Sequence, residues 1–124
     1  MPDLEAVHAR LRDILAPYRD DLSVTRDGAE GLVLEVPGLE GKPWGYVAAT
    51  RLGKRYVSFY LMPVYGSSGL ASIISPELRK RMQGKSCFNF TTVDERLFAE
   101  LADLAAKGIP GFRAEAEQIA ATRR

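Results

Sequence analysis

Two neighbouring segments in the middle of the chain alternate in polarity with the period of a β-strand. They read WGYVAATRL and RYVSFYLM, at positions 44–52 and 55–62, and only Gly53 and Lys54 lie between them. A two-residue connection between alternating segments is typical of a β-hairpin. Because the strands of a hairpin pair antiparallel, this feature alone requires an antiparallel sheet at the centre of the fold.

The two-residue loop predicts the register of this hairpin, with Leu52 opposite Arg55. One face of the two strands is then apolar and is predicted to be core, since it carries Val57, Phe59 and Leu61. The second face is too apolar to be a fully solvated surface, because a solvated face of a sheet is normally polar. Its predicted members include Gly45, Val47, Ala49, Tyr56, Ser58, Tyr60 and Met62.

The segment before this hairpin predicts a helix and a further hairpin. Apolar residues at three-and-four spacing between Leu4 and Tyr18 indicate an amphipathic helix. That helix should end near Ala16, because Pro17 cannot donate a backbone hydrogen bond. Residues 21–36 alternate in polarity on both sides of glycine-containing turns, and they are predicted to form this further hairpin.

The segment after the central hairpin predicts one more strand among three helices. PELRKRMQ is predicted to form a short helix that ends at Gly84. SCFNFT reads as a fifth strand that places Cys87 and Asn89 on the second face. Two longer helices should follow. The first begins with a capping box of Thr92 and Glu95 and ends at Gly108, and the second begins at Pro110. Capping residues at these spacings are typical of helix starts.

The order of these elements predicts an α+β fold. A run of strands between helices favours a mostly antiparallel, five-stranded sheet with helices packed on one face. The chain has 124 residues, the size of one ordinary domain, so residues 1–124 are predicted to form a single domain.

Composition and charge exclude several classes of function. Hydrophobic residues make up 46% of the chain and charged residues 27%, as in ordinary soluble domains. The net charge of +1 provides no general attraction to nucleic acids or anionic membranes, and neither is expected as a partner. No apolar run approaches the ~20 residues that span a bilayer. Because Cys87 is the only cysteine, an internal disulfide is impossible, and a cytoplasmic location is predicted.

The second face of the sheet provides the main functional prediction, which is non-catalytic binding of a small ligand or a protein partner. A few polar groups over an apolar floor are the general form of a ligand site. Tyrosine and methionine are equally typical of protein interfaces, so a homodimer is a second possibility, and coverage by the chain's own helices is a third. The predicted binding residues are Val47, Tyr56, Ser58, Tyr60, Met62, Cys87 and Asn89.

Other reactive or charged residues suggest further alternatives. His8, the only histidine, lies on the apolar side of the first helix and is predicted to be a packing residue. Cys87 is predicted to be an inert, half-buried thiol on a strand. The alternative is a nucleophile whose pKa is lowered by Lys85 and the preceding basic helix. Four clustered cations are candidates for binding an anion, namely Arg79, Lys80, Arg81 and Lys85.

The segments YVSFYLMPVY and ISPELRKRMQGKSCFNF resemble the YdhG-like domain family of small bacterial domains, over residues 44–112 or so. The resemblance implies a compact α+β domain with an antiparallel sheet. Some members of the family are described as frataxin-like iron chaperones. The resemblance therefore also implies an alternative function, which is iron binding and delivery through carboxylates of the N-terminal helix. Iron is the cofactor of that alternative only, and the candidate ligands are Asp13, Asp20 and Asp21.

Overall fold

In residues 3–66 and 68–122, which a computed structural model describes, six strands form one antiparallel sheet. The strands are β1 (Ser23–Gly28), β2 (Gly31–Glu35), β3 (Tyr46–Leu52), β4 (Val57–Leu61), β5 (Met82–Gln83) and β6 (Cys87–Phe90). Their spatial order is β1-β2-β3-β4-β6-β5, and all neighbouring pairs are antiparallel. The predicted α+β class is confirmed, with six strands in place of the predicted five.

The additional strand comes from residues that the sequence predicted to be helical. PELRKRMQ forms a single helical turn, Pro76–Arg79, and Met82–Gln83 then pair with β6. The carbonyl oxygen of Arg81 accepts a hydrogen bond from the amide of Asn89 at 2.8 Å. The short helix ends early because the backbone groups that follow it form hydrogen bonds with the sheet instead. Gly84, at φ +77°, forms the turn into β6.

The structure has the predicted helices near the N-terminus, before β5 and after β6, together with two short helices between β4 and β5 that the sequence did not predict. Among the described residues they are α1 (Leu4–Leu15), α2 (Met62–Gly66), α3 (Ser68–Ser72), α4 (Pro76–Arg79) and α5 (Glu95–Thr122). At the start of α1 the carboxylate of Asp3 accepts a hydrogen bond from the amide of Ala6 at 3.1 Å, as an N-cap does. The helix ends one residue before Ala16, where a 3₁₀ turn containing Pro17 follows, so the predicted end is confirmed.

The core lies between one face of the sheet and the two long helices, as predicted. The rings of Phe90 on β6 and Phe98 on α5 pack edge to face, with centroids 5.0 Å apart. Such a pair contributes about 0.5–1.5 kcal/mol beyond the area that it buries. Fully buried side chains from α1, α5 and the sheet fill the rest of this layer, including Val7, Leu11, Leu15, Leu34, Phe59, Leu61, Phe88 and Leu101.

The C-terminal helix is one continuous element, so the predicted break between Gly108 and Pro110 is wrong. Pro110 lies inside α5, which runs unbroken to Thr122. Gly108 is a packing residue, because a Cβ there would lie 2.7 Å from side-chain atoms of both Leu70 and Pro63. The predicted capping residue is also corrected, since Asp94 and not Thr92 accepts from the amide of Leu97, at 3.2 Å.

The hairpin of β3 and β4 has a longer loop than predicted. Leu52 pairs with Val57 and not with Arg55, and the amide of Gly53 donates to the carbonyl of Tyr56 at 3.0 Å. The observed register places two apolar residues opposite each other on the core face, whereas the predicted one would pair Leu52 with an exposed arginine. The shift is two residues, so every side chain stays on its predicted face of β4.

A β-bulge in β3 changes the face of two side chains. Leu34 pairs with Ala48, but Glu35 pairs with Tyr46, so Val47 is the extra residue. Val47 is completely buried in the core, and Tyr46 moves to the opposite face. The prediction that Val47 belongs to the binding face is therefore wrong. The bulge buries an aliphatic side chain where a regular strand would have buried a phenol.

Met62 is likewise removed from the predicted binding face. Strand β4 ends at Leu61, and Met62 begins α2. The next residue, Pro63, has no amide hydrogen and cannot continue a strand ladder. Within the described residues, no helix combines the length and the apolar character that crossing a membrane requires.

Candidate ligand-binding groove on the open sheet face

The face of the sheet opposite α1 and α5 is here called the open face. Its middle is a continuous line of paired residues that crosses all six strands of the described sheet. Each residue is the direct cross-strand partner of the next. This central row consists of Arg26, Val33, Ala49, Tyr60, Cys87 and Gln83.

A second row runs beside the central row and is displaced from it by two residues along each strand. It consists of Gly31, Arg51, Ser58 and Asn89, again as successive cross-strand partners. Small residues occupy the middle of both rows, and the side chains of their neighbours shield them. Ala49 is 3% exposed and Ser58 is 5% exposed, so this part of the surface is a depression.

A groove of about 660 Å³ lies over this depression. This volume is within the range of about 300–1,000 Å³ that small-molecule sites occupy. The lining comes from β1 to β4 and from the turns that join these strands in pairs. The side chains used in the argument below are Arg26, Val33, Tyr46, Ala49, Arg51 and Tyr60.

Two bulges place polar side chains at opposite ends of the groove. In β1, Val24 pairs with Leu34 but Arg26 pairs with Val33, so Thr25 is an extra residue. Without this bulge Arg26 would share the face of Leu34, which is core. The bulge in β3 likewise places Tyr46 on the open face, although regular alternation would place it on the core face. Both polar groups therefore reach the groove through local irregularities and not through regular alternation.

One side of the groove is cationic. Arg26, Arg51 and Lys54 are exposed and line it together with a single carboxylate, Glu30. Among the described residues, none of these three cationic side chains has an ion pair or a side-chain hydrogen bond. Their donors are therefore free to bind a molecule in the groove.

The other side carries the hydroxyl groups of Tyr46 and Tyr60, and the thiol of Cys87 lies next to Tyr60, outside the lining of the groove. Burial, with smaller contributions from Tyr60, Glu35 and Cys87, raises the pKa of Tyr46 to about 12. The Tyr46 phenol is therefore protonated at neutral pH and can donate a hydrogen bond. Burial also raises the pKa of the Cys87 thiol. This effect is larger than the lowering of the pKa by hydrogen bonds with Ser58 and Tyr60.

The raised pKa of Cys87 agrees with the predicted inert thiol and does not favour the alternative of an activated nucleophile. The hypothesis of a nucleophilic cysteine required neighbouring lysine and arginine side chains to stabilise a thiolate. In the structure the thiol of Cys87 donates to the amide oxygen of Asn89, which lies 3.5 Å from the sulfur. The arrangement keeps the thiol neutral, and Cys87 does not have the environment of a catalytic nucleophile.

Glu35, at the margin of the open face, is fully engaged within the chain. One carboxylate oxygen accepts from the hydroxyl of Thr25 at 2.6 Å, and the other accepts from the amide of Gly41 at 2.9 Å. These bonds fix the loop after β2 to the extra residue of the β1 bulge. Glu35 is 8% exposed and is thus a structural carboxylate.

The structure brings together most of the predicted binding residues, but not all of them. Ser58, Tyr60, Cys87 and Asn89 lie on the open face in the two rows. Tyr56 lies in the loop between β3 and β4, 40% exposed. Val47 and Met62 are on other surfaces, as described above.

Sequence reasoning missed Arg26, Tyr46 and Arg51 as groove residues. The alternation of β3 did place Arg51 on the second face, and this was the available signal. Arg26 and Tyr46 reach that face only because of the bulges, which depend on the pairing of neighbouring strands. A single sequence carries no clear signal for such irregularities.

The four cations predicted to bind an anion are partly engaged within the chain. Arg79 donates to the carbonyl oxygen of Ala71 at 2.8 Å. The ammonium group of Lys85 lies 5.7 Å from the ring centroid of Tyr65, a cation–π contact. These contacts stabilise the segment around α3 and α4. The anion-binding role of Arg79, Lys80, Arg81 and Lys85 therefore stays a prediction.

The carboxylates of the iron-binding alternative are not gathered into a site in the described part of the chain. No group of three or more histidine, cysteine or acidic residues there has the arrangement of a metal centre. Asp13 lies 3.5 Å from the guanidinium of Arg10, in an exposed pair. Asp20 and Asp21 are also exposed, and they lie further along the chain, after the end of α1. Iron binding stays a prediction that no contact in the structure favours.

His8 is a packing residue with one polar contact, as predicted. It is 4% exposed, and its Nε2 lies 2.9 Å from Oγ1 of Thr50 on the helix-covered face of β3. Burial, and then the charge of Arg12, lowers the pKa of His8 below its ordinary value. The neutral imidazole thus joins α1 to the sheet.

Comparison of the chain with known protein families, with curated proteins and with solved structures gave no match. The resemblance to the YdhG-like family therefore stays a prediction, and the geometry of the open face is what bears on function.

Proposed function

We propose that this chain is a ligand-binding domain that holds a small organic molecule in the groove of its open face. The observation that supports the proposal most directly is the central row, where a floor of Val33 and Ala49 lies between Arg26 and Tyr60. An apolar floor with a few polar groups around it is the usual composition of a small-molecule site.

The chemistry of the groove favours binding over catalysis. Burial raises the pKa of the Tyr46 phenol in the groove and of the Cys87 thiol beside it, which disfavours either group as a nucleophile or a base at neutral pH. The single histidine is on the other side of the sheet, bonded to Thr50. We place this function in the cytoplasm, a proposal supported by the single, unpaired cysteine.

Amide NMR spectra of the labelled protein test the proposal with three aromatic probes of similar size, namely indole, benzoate and benzamidine. We expect at least one probe to shift resonances of Val33, Ala49 and Tyr60, because these residues form the floor. The variant Ala49→Phe should abolish the shifts, since the added ring occupies the groove. Ala99→Phe, at an exposed position of α5, is the matched control and should leave them unchanged.

Two outcomes contradict the proposal. In one, none of the three probes shifts the floor resonances, although the spectrum is that of a folded protein. In the other, size-exclusion chromatography shows a dimer that Tyr60→Glu dissociates, and the probes bind neither form. The second outcome assigns the open face to an interface between two copies of the chain.

A further inference from the structure

We infer that the groove selects a small organic anion, whose acidic group lies between Arg26 and Arg51 and whose apolar part lies on Val33 and Ala49. The inference rests on the proposed function and specifies its ligand class. Carboxylates and sulfonates attached to a flat apolar body are the molecules that fit this description.

The first argument is the charge of the lining. Arg26, Arg51 and Lys54 oppose the single carboxylate of Glu30, which gives the lining a formal charge of +2. The whole chain carries only +1. Positive charge is thus concentrated at the groove, and a concave site lined with one sign of charge attracts ligands of the opposite sign.

The second argument is that, in the part of the chain that the structure describes, the guanidinium groups of Arg26 and Arg51 are unpaired, whereas three arginines on the helix side form ion pairs. On the helix side, Asp27 accepts from both Arg12 and Arg19, and Arg10 forms a bridge to Glu95. On the open face, neither Arg26 nor Arg51 has such a partner among the described residues. A ligand carboxylate or sulfonate would supply the acceptor that the chain itself does not, through hydrogen bonds assisted by charge.

The third argument is the spacing across the sheet of the two strands that carry Arg26 and Arg51. Arg26 lies on β1 in the central row, and Arg51 lies on β3 in the second row. Neighbouring strands are ~4.8 Å apart, so the two backbones are separated by two strand spacings, or roughly 10 Å, across the sheet. Gly31, on the strand between them, contributes no side chain. The space between two long cationic side chains therefore stays open for one acidic group.

The far end of the groove fits the remainder of such a ligand. Tyr46 and Tyr60 present aromatic rings and hydroxyl groups beside the apolar floor. A flat apolar body can lie against these rings, and a neutral polar substituent can accept from the Tyr46 hydroxyl. The two ends thus differ in charge and orient the ligand.

Two fluorescent probes that differ only by one acidic group test the inference. Anilinonaphthalenesulfonate carries a sulfonate, and phenylnaphthylamine is the same ring system without it. We expect the wild-type chain to bind the sulfonate about 10-fold more tightly than the neutral probe, because charge-assisted hydrogen bonds are worth about one such factor. Added salt should reduce this preference, since the cations are exposed.

Substitution of the two arginines tests whether they cause the preference for the sulfonate. Arg26→Gln and Arg51→Gln should each weaken sulfonate binding about 5- to 10-fold and leave binding of the neutral probe unchanged. Arg96→Gln removes the same charge from an exposed position of α5 and is the matched control. Circular dichroism of each variant verifies that the fold is intact.

The possible failures are distinguishable. If both probes bind equally, and Ala49→Phe removes both, the groove is a ligand site but the inferred preference for an anion is wrong. If the sulfonate is preferred but neither arginine substitution changes its affinity, the inference is also overturned. If neither probe binds, both the inference and the proposed function fail.

Discussion

The hydroxyl of Ser58 donates a hydrogen bond of 2.7 Å to the amide oxygen of Asn89, and this bond joins β4 to β6 on the open face. The amide nitrogen of Asn89 donates in turn to Gln83 on β5, at 2.9 Å. One asparagine therefore connects three strands at the end of the sheet. The bond to Gln83 helps to hold the short strand β5, which is only two residues long.

Asn89→Ala should lower the free energy of unfolding by about 1–3 kcal/mol, because it leaves the nearly buried hydroxyl of Ser58 without its acceptor. Gln83→Ala removes the other bond at an exposed position and should cost clearly less. The double variant Ser58→Ala, Asn89→Ala should be less destabilised than the two single effects added together. Urea denaturation measures all four values, and strict additivity would contradict the role given to this bond.

Gly31 and Gly28 face each other in the first hairpin and should respond oppositely to substitution by alanine. A Cβ at Gly31 would lie 2.5 Å from the carbonyl oxygen of Thr50, whereas a Cβ at Gly28 has nothing within 4 Å. Gly31→Ala should lower the melting temperature by several degrees, since a loss of about 1 kcal/mol corresponds to ~4 °C in a chain of this size. Gly28→Ala should be neutral or slightly stabilising. Equal melting temperatures for the two variants would contradict the close approach of β2 and β3 at Gly31.

The pKa of His8 makes part of the stability dependent on pH. Burial lowers this pKa in the folded state, so the unfolded chain binds the proton first as the pH falls through about 6.5. The contribution of the neutral imidazole is thus complete above that pH and is lost toward the lower folded pKa. We expect unfolding midpoints in urea to fall between about pH 7 and pH 5, and His8→Gln to reduce this slope. An unchanged slope in the variant would contradict the assignment.

The raised pKa of Cys87 predicts an unreactive thiol in the folded chain. Because the thiolate is the reacting species, alkylation by iodoacetamide near neutral pH should be slower for the native protein than for the urea-unfolded protein. Cys87→Ser identifies any labelling at other positions. Native reactivity that reaches its midpoint well below pH ~8.5, the ordinary cysteine value, would instead restore the hypothesis of a catalytic nucleophile.

Local patterns of the sequence were sufficient for the assignment of faces within β4 and β6. Side chains alternate with a period of two along a strand, so the placement of Ser58, Tyr60, Cys87 and Asn89 on one face followed from their positions alone. This assignment survived an error of two residues in the register of Leu52, because a shift by two preserves the face. The amphipathic pattern of the first helix and its end before Pro17 were equally local.

The ends of the helices depended on contacts that are distant in sequence. The backbone after Arg79 pairs with β6 and leaves the helix, although its residues are good helix formers. Pro110 lies within the continuous α5, and Gly108 just before it packs against Pro63 and Leu70, which are distant in sequence. Neither outcome follows from the propensity of the residues concerned.

The sequence by itself determined that this chain builds an antiparallel sheet with one apolar face under helices and a second face that is unusually poor in charge. The tertiary structure alone decided which further side chains reach that second face and how deeply its residues are buried. The extra residues Thr25 and Val47 carry Arg26 and Tyr46 to the groove, and burial keeps Cys87 protonated. The physical reason is that alternation is a property of one strand, whereas bulges, burial and converging charges are set by how neighbouring strands pair.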